Sequence, residues 1–177
     1  MINEARILNA KPEDIAGLLR ENVQLSANFR LGEFLVSQTA QRRGIDNTPN
    51  VDQLRCLYLL AKNVVQPIRE LIAVPTRVSS GLRVPALNTA IGGSKNSQHI
   101  RGQAADLIPV GDKSLVQYAE MIAKSDIQFD QLILEFHNLA IPSSGWLHVA
   151  YNPDRAKQRR QVLTIDSKGT RVGIDPR

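Results

Sequence analysis

The 177-residue sequence predicts an α+β domain: a small mixed or antiparallel sheet packed by helices, with a helical N-terminal lead-in. Three observations predict it. Apolar residues in the first half recur at three- and four-residue steps. The second half carries short apolar runs bounded by glycine and proline. Those runs come in the order strand, strand, helix, strand, strand, which a regular parallel βαβ array does not give.

Each element has its own signal. Residues 1–25 read as a polar segment with one helix, for which Lys11-Pro12-Glu13-Asp14 supplies a first turn and Ile15, Leu18 and Leu19 an apolar side. Ser26 or Asn28 is the expected cap of a short helix containing Glu33, Phe34, Leu35 and Thr39. Gly44 to Asn50 is a turn-rich break. The longest helical pattern runs from Val51 to Ala73, with Leu54, Leu57, Tyr58, Ala61, Val64, Val65, Ile68 and Ile72 on one face. Pro67 lies inside it and should kink or divide the helix. Thr76 to Ser80 reads as a strand, Gly81 to Pro85 as a turn, and Pro85 to Ile91 as a short helix ended by Gly92-Gly93. Ser94 to Gln103 is a loop and Ala104 to Val110 a strand. Ser114 to Lys124 is a helix with Leu115, Tyr118, Ala119 and Ile122 together. Gln131 to Phe136 and Trp146 to Tyr151 are strands joined by a loop containing Pro142 and Gly145. A basic tail follows from Asn152, with an extra strand over Gln161 to Ile165.

Composition narrows the function classes. Cys56, the single cysteine, forms no internal disulfide and reads as a small core residue. The N-terminus lacks the basic and apolar regions of a secretory signal, and no apolar run approaches the roughly 18 residues of a membrane span. Synthesis in the cytoplasm is the expectation. The net charge of +5 suits an anionic partner, whether nucleic acid, wall polymer or membrane surface, or only a solvated face. Aromatic residues are 5% and do not interleave with the basic ones, so platforms for stacking bases are scarce. No helix-turn-helix or zinc-finger pattern is present, and no nucleic acid is expected as a partner.

The chemistry-bearing stretch is Ser97-Gln98-His99-Ile100-Arg101-Gly102-Gln103-Ala104-Ala105-Asp106. His99 and Asp106 flank Gly102, which lets the loop bend so that they converge. His148, in Trp146-Leu147-His148-Val149-Ala150, shares a strand face with Trp146 and Ala150. Two imidazoles and a carboxylate suit catalytic zinc with one position left open. A carboxylate at the start of an apolar strand is costly unless paired or metal-bound. Spacing alone also allows plainer roles, with His99 an exposed loop residue and His148 a hydrogen-bonded core histidine. Glu135 ends its strand, and a hairpin would bring it beside His148, where a carboxylate can act as general base. It could equally be a surface residue. Arg83 follows the turn Ser79-Ser80-Gly81 and can clamp a carboxylate or an oxyanion, or simply face solvent. His137, beside Asn138, has no partner pattern.

The pattern Ser-x-His-x-x-Gly-x-Ala-x-Asp followed by a distant Trp-x-His resembles the zinc D-Ala-D-Ala carboxypeptidase family. That family includes bacteriophage endolysins and bacterial D-Ala-D-Ala dipeptidases, and the hedgehog amino-terminal domain shares its fold. Ser80-Gly81-Leu82-Arg83 is similar to the family's Ser-Gly-Tyr-Arg turn, with Leu82 in place of tyrosine. Asn88 to Gly93, leading to Ser97-Gln98-His99, resembles the segment before the first ligand. Phe129 to Glu135 resembles the hedgehog-type strand, and Leu25 to Pro49 the lead-in of the phage-type branch. The resemblance covers about residues 25–151.

It implies zinc held by His99, Asp106 and His148, Glu135 as general base, and Arg83 holding substrate or transition-state charge. It divides the chain into an N-terminal extension (1–24), a zinc peptidase domain (25–152) and the basic tail (153–177). Two departures stand out. Many relatives carry glutamate three residues before the last histidine, where this chain has Gly145. Many also carry histidine two residues before it, where this chain has Trp146. The implied function is hydrolysis of a peptide bond in peptidoglycan stem peptides by a phage or prophage endolysin, released through a holin-type pore or carried on a phage particle. The alternatives are an inactive metal-binding module that binds wall or partner, and a phage structural protein with a peptidase fold.

Overall fold

A computed structural model describes residues 4–141 and 144–176. Pro142, expected in the loop between two strands, lies outside the described residues, as do Met1 to Asn3 of the N-terminal reading. The helix-rich first part starts with α1 (Glu4–Leu8), a turn at Pro12–Asp14 and α2 (Ile15–Arg20). Ile7, Leu18 and Leu25 are buried in one core with Leu54, Leu57 and Tyr58 of the long helix. Arg55 fastens the lead-in by donating to the carbonyls of Leu8 and Ala10.

The short helix expected after Ser26 or Asn28 is two elements. A 3-10 turn covers Leu31–Phe34, and α3 covers Gln38–Arg43. The cap of α3 is Ser37, whose Oγ accepts from the Ala40 amide. Ser26 and Asn28 are engaged elsewhere, since both bind the Gln66 amide on the long helix. That helix runs without a break through α4 (Val51–Leu60), a π-helical stretch (Ala61–Val65) and α5 (Gln66–Ile72). Pro67 has no N–H and its ring crowds the preceding turn, and the wider turn before it absorbs both demands. Cys56 on α4 is half-buried rather than a core residue, and Gln103 Nε2 lies 3.9 Å from its sulfur.

The remaining elements are β1 (Thr76–Ser80), α6 (Pro85–Ala90), β2 (Ala104–Pro109), α7 (Leu115–Ala123), β3 (Gln131–Glu135), β4 (Trp146–Ala150), β5 (Gln161–Asp166) and β6 (Gly169–Val172). They form one mixed sheet in the order β1-β2-β4-β3-β5-β6. β3 and β5 pair in parallel, and every other pair is antiparallel. The basic C-terminal segment thus supplies two strands where one was expected.

Alternation divides the sheet into two faces. Ala105, Leu107, Leu132, Leu134, Leu147 and Val149 join the hydrophobic core under α7 and the π-helical stretch. The opposite face carries the intervening residues Asp106, His148, Ile133 and Glu135. Asp106 pairs with His148, and His148 with Ile133 on its other side. A bulge in β1 skips Ser79 and sets Ser80 opposite Asp106, which brings the Gly81–Arg83 turn to this face.

Candidate metal centre

His99 lies in a 3-10 turn, Gln98–Arg101, just before β2. Gly102 ends the turn at φ 69°, and a Cβ there would sit 2.7 Å from the Gln53 carbonyl. Only glycine allows the turn to press this closely on α4. Gln53 Nε2 also donates to the Ile100 carbonyl at 2.8 Å. The buried His99 ring is oriented from the other side: Nδ1 is 2.6 Å from the Gly81 carbonyl oxygen. A carbonyl only accepts, so Nδ1 carries the proton and Nε2 of the neutral ring is bare.

That bare nitrogen faces two further ligand atoms. His99 Nε2 is 3.2 Å from Asp106 Oδ1 and 3.2 Å from His148 Nδ1, which is itself 3.1 Å from Asp106 Oδ1. Among the described residues these three form a group whose ligand atoms all lie within 4.8 Å of one another, and all three side chains are buried. The donor set fits zinc. Tetrahedral bonds of about 2.0 Å place ligand atoms about 3.3 Å apart. Three atoms that each offer a lone pair meet there, and a cation at their centre relieves the repulsion among them.

The outer partners are those a metal site needs. Asp106 Oδ2 accepts from Arg83 Nη2 at 2.5 Å, and Arg83 Nε donates to Ser80 Oγ at 2.8 Å. Burial alone would raise the Asp106 carboxyl, but the His99 and His148 imidazoles packed against it outweigh burial and hold Asp106 well below the usual carboxylate range. Ser79 Oγ donates to the Asp106 backbone carbonyl, which fixes β1 to β2 at this point.

Glu135 shares the face. It pairs with Trp146, which places it diagonally from His148, about 7 Å between Cβ atoms in such a register. Burial pushes its carboxyl above the ordinary range; Asp106 adds to the push, while His148, Arg83 and the Trp146 indole oppose it. Phe136 stacks on Trp146 with ring centroids 5.4 Å apart, walling this end of the site. Gly145 explains why no carboxylate precedes His148 on its own strand. Its φ is 80°, and a Cβ would lie 2.4 Å from the Glu135 carbonyl oxygen. The acidic group on this side of the face comes from β3 instead.

The structure therefore brings together His99, Asp106 and His148, sets Arg83 on Asp106, and keeps Glu135 on the same face. His137 stays apart in the β3–β4 loop, its Nδ1 3.1 Å from the Ser144 carbonyl. Sequence reasoning missed the Gly81 carbonyl, because a backbone acceptor leaves no trace in residue types. It also missed Asp130, buried at the start of β3 and tied to Arg159 and Gln98. An acid at the mouth of an apolar strand was the available signal, the same one that marked Asp106.

The Peptidase M15 family profile matches residues 27–140, more than half of the chain. The matched span contains Arg83, His99, Asp106 and Glu135 and ends before His148. No curated protein matches the chain.

Proposed function

The chain belongs to the Peptidase M15 family, and from that premise we propose that it is a zinc-dependent peptidase that hydrolyses a peptide bond in bacterial peptidoglycan. Membership implies peptide substrates. The observation that carries the proposal is the convergence of His99 Nε2, Asp106 Oδ1 and His148 Nδ1 to within 3.2 Å on one sheet face. These three residues would hold the zinc, which would supply Lewis acidity toward a scissile carbonyl and water.

The protein's own groups do the rest. The Gly81 carbonyl fixes the His99 tautomer, and Arg83 fixes the Asp106 carboxylate. Glu135, with its proton affinity raised by burial, accepts a proton from the attacking water and returns it to the leaving amine. Arg83 Nη1 has no hydrogen-bond partner among the described residues and is free to steady charge developing on the substrate oxygen. Trp146, packed against Phe136, borders that end of the site.

We place the protein among phage or prophage wall-lytic enzymes, made in the cytoplasm and reaching the wall through a holin-type pore or on a particle. Its net charge of +5 suits an anionic wall polymer, and no described helix is long and apolar enough to cross a membrane. The test is digestion of purified muropeptides with and without chelator, with products identified by mass. Chelator-sensitive release of a peptide fragment is expected. Binding to wall without cleavage, unchanged by Glu135→Ala, would favour an inactive module instead.

A further inference from the structure

We infer that a polar cavity beside the metal group is a carboxylate-binding subsite for the peptide substrate. The inference rests on the peptidase reading and deepens it by naming a chemical feature of the substrate. The cavity, of about 440 Å³, shares His148 and Ile133 with the metal-bearing face of the sheet. A peptide residue seated in it therefore adjoins the bond presented to His99, Asp106 and His148.

The charges lining it are Arg101, Lys157, Arg159 and Asp130. Asp130, the single acid among the described lining residues, is 1% exposed and fully engaged. Its Oδ1 accepts from the backbone N–H and Nε of Arg159 at 2.9 and 3.0 Å. Its Oδ2 accepts from Arg159 Nη2 at 2.6 Å and Gln98 Nε2 at 2.8 Å. No acceptor capacity is left on Asp130 for a cationic ligand, so the charged groups that meet a ligand are donors.

Arg159 is the anchor of this arrangement. Its guanidinium is held side-on through Nε and Nη2, while its side chain stays 51% exposed and Nη1 has no hydrogen-bond partner among the described residues. A guanidinium fixed this way loses little freedom when it binds a carboxylate. Lys157, exposed and paired among the described residues with surface Asp154, adds a mobile positive charge, and Arg101 adds another from the turn that holds His99. A simple staple between β3 and β5 would need the Asp130–Arg159 pair but not two further cations around the same cavity.

Two carboxylates of a stem peptide have this chemistry: its C-terminus and the α-carboxylate of a γ-linked D-glutamate. Binding of L-Ala-γ-D-Glu-L-Lys-D-Ala is measured by the fluorescence of Trp146, the chain's single tryptophan, for three forms: both carboxylates free, D-glutamate amidated, and C-terminus amidated. The fully acidic peptide should bind about tenfold tighter than one of the two amides, and the amide that loses affinity identifies the carboxylate. Lys157→Glu, at an exposed position, and Arg159→Lys, which keeps charge but removes the fork, should each shrink that ratio about threefold or more. Thermal melts check that both variants fold, and Lys157→Glu reads the subsite if Arg159→Lys does not. Equal binding of all three forms, or a ratio untouched by both variants, overturns the subsite while muropeptide cleavage by the wild type leaves the peptidase reading standing. If the wild type neither binds nor cleaves any form, both fall.

Discussion

On the helix-packed face of the sheet, β2 contributes Ala105 and Leu107, β3 Leu132 and Leu134, and β4 Leu147 and Val149, all buried in one apolar core. On the opposite face the alternate positions of the same strands hold Asp106, Glu135 and His148. The first face is made of like residues, and its stabilisation is spread over many contacts. The second gathers groups that oppose one another: three lone-pair atoms aimed at a common point, with a carboxylate of raised proton affinity beside them. A strand's period of two lets one segment serve both, so the packed face supplies the rigidity that the polar face requires.

This contrast predicts that the two faces respond to substitution in opposite ways. Glu135→Gln should lower turnover by about 10²- to 10⁴-fold, with zinc content kept and the unfolding midpoint unchanged or raised; steady-state kinetics beside a thermal melt reads both. Leu134→Ala should do the reverse. It costs about 2–5 kcal/mol of stability, visible in urea unfolding, while the folded fraction binds zinc as before. Loss of zinc affinity in Leu134→Ala without loss of stability would break the comparison.

Smaller effects sharpen it. Arg83→Gln removes the partner of Asp106 Oδ2 but no ligand atom, and should weaken zinc binding about 10- to 100-fold. A competition titration with a chromophoric chelator measures this. The pH dependence follows from Glu135. Because burial raises its carboxyl in the folded state, the neutral form is favoured and Glu135 contributes stability at low pH. That contribution is lost as pH rises from the ordinary value of 4.5 through the folded value. In metal-free protein, the stability of wild type relative to Glu135→Gln should fall with rising pH over that window. A difference that stays flat or grows contradicts it.

How much of this was legible in residue order depends on whether a signal is local. The long helix was readable because Leu54, Leu57, Tyr58, Val64, Val65 and Ile68 recur at helical spacing, and Pro67 marked its irregular point. How the chain accommodates Pro67 was not readable, since the π-helical stretch depends on packing around Ala61 to Val65. Ser26 and Asn28 have the right chemistry for a cap, yet Gln66, forty residues on from Ser26, claims them. Gly169–Val172 is short and mostly exposed, so β6 has no apolar alternation to reveal it. The site was more legible than the fold around it. Asp106 and His148 interrupt apolar strands, and Glu135 and His148 sit on facing edges of one hairpin. What stayed hidden were non-local supports: the Gly81 carbonyl, the register that pairs Ser80 with Asp106, and the grip of Arg159 on Asp130.

Titration of zinc into metal-free protein by calorimetry, run alongside His99→Ala and Asp106→Asn, tests the central claim most directly. One zinc per wild-type chain, with the binding heat lost in both variants, is the predicted result. Absence of binding to the wild type, or binding that both variants leave intact, would contradict it.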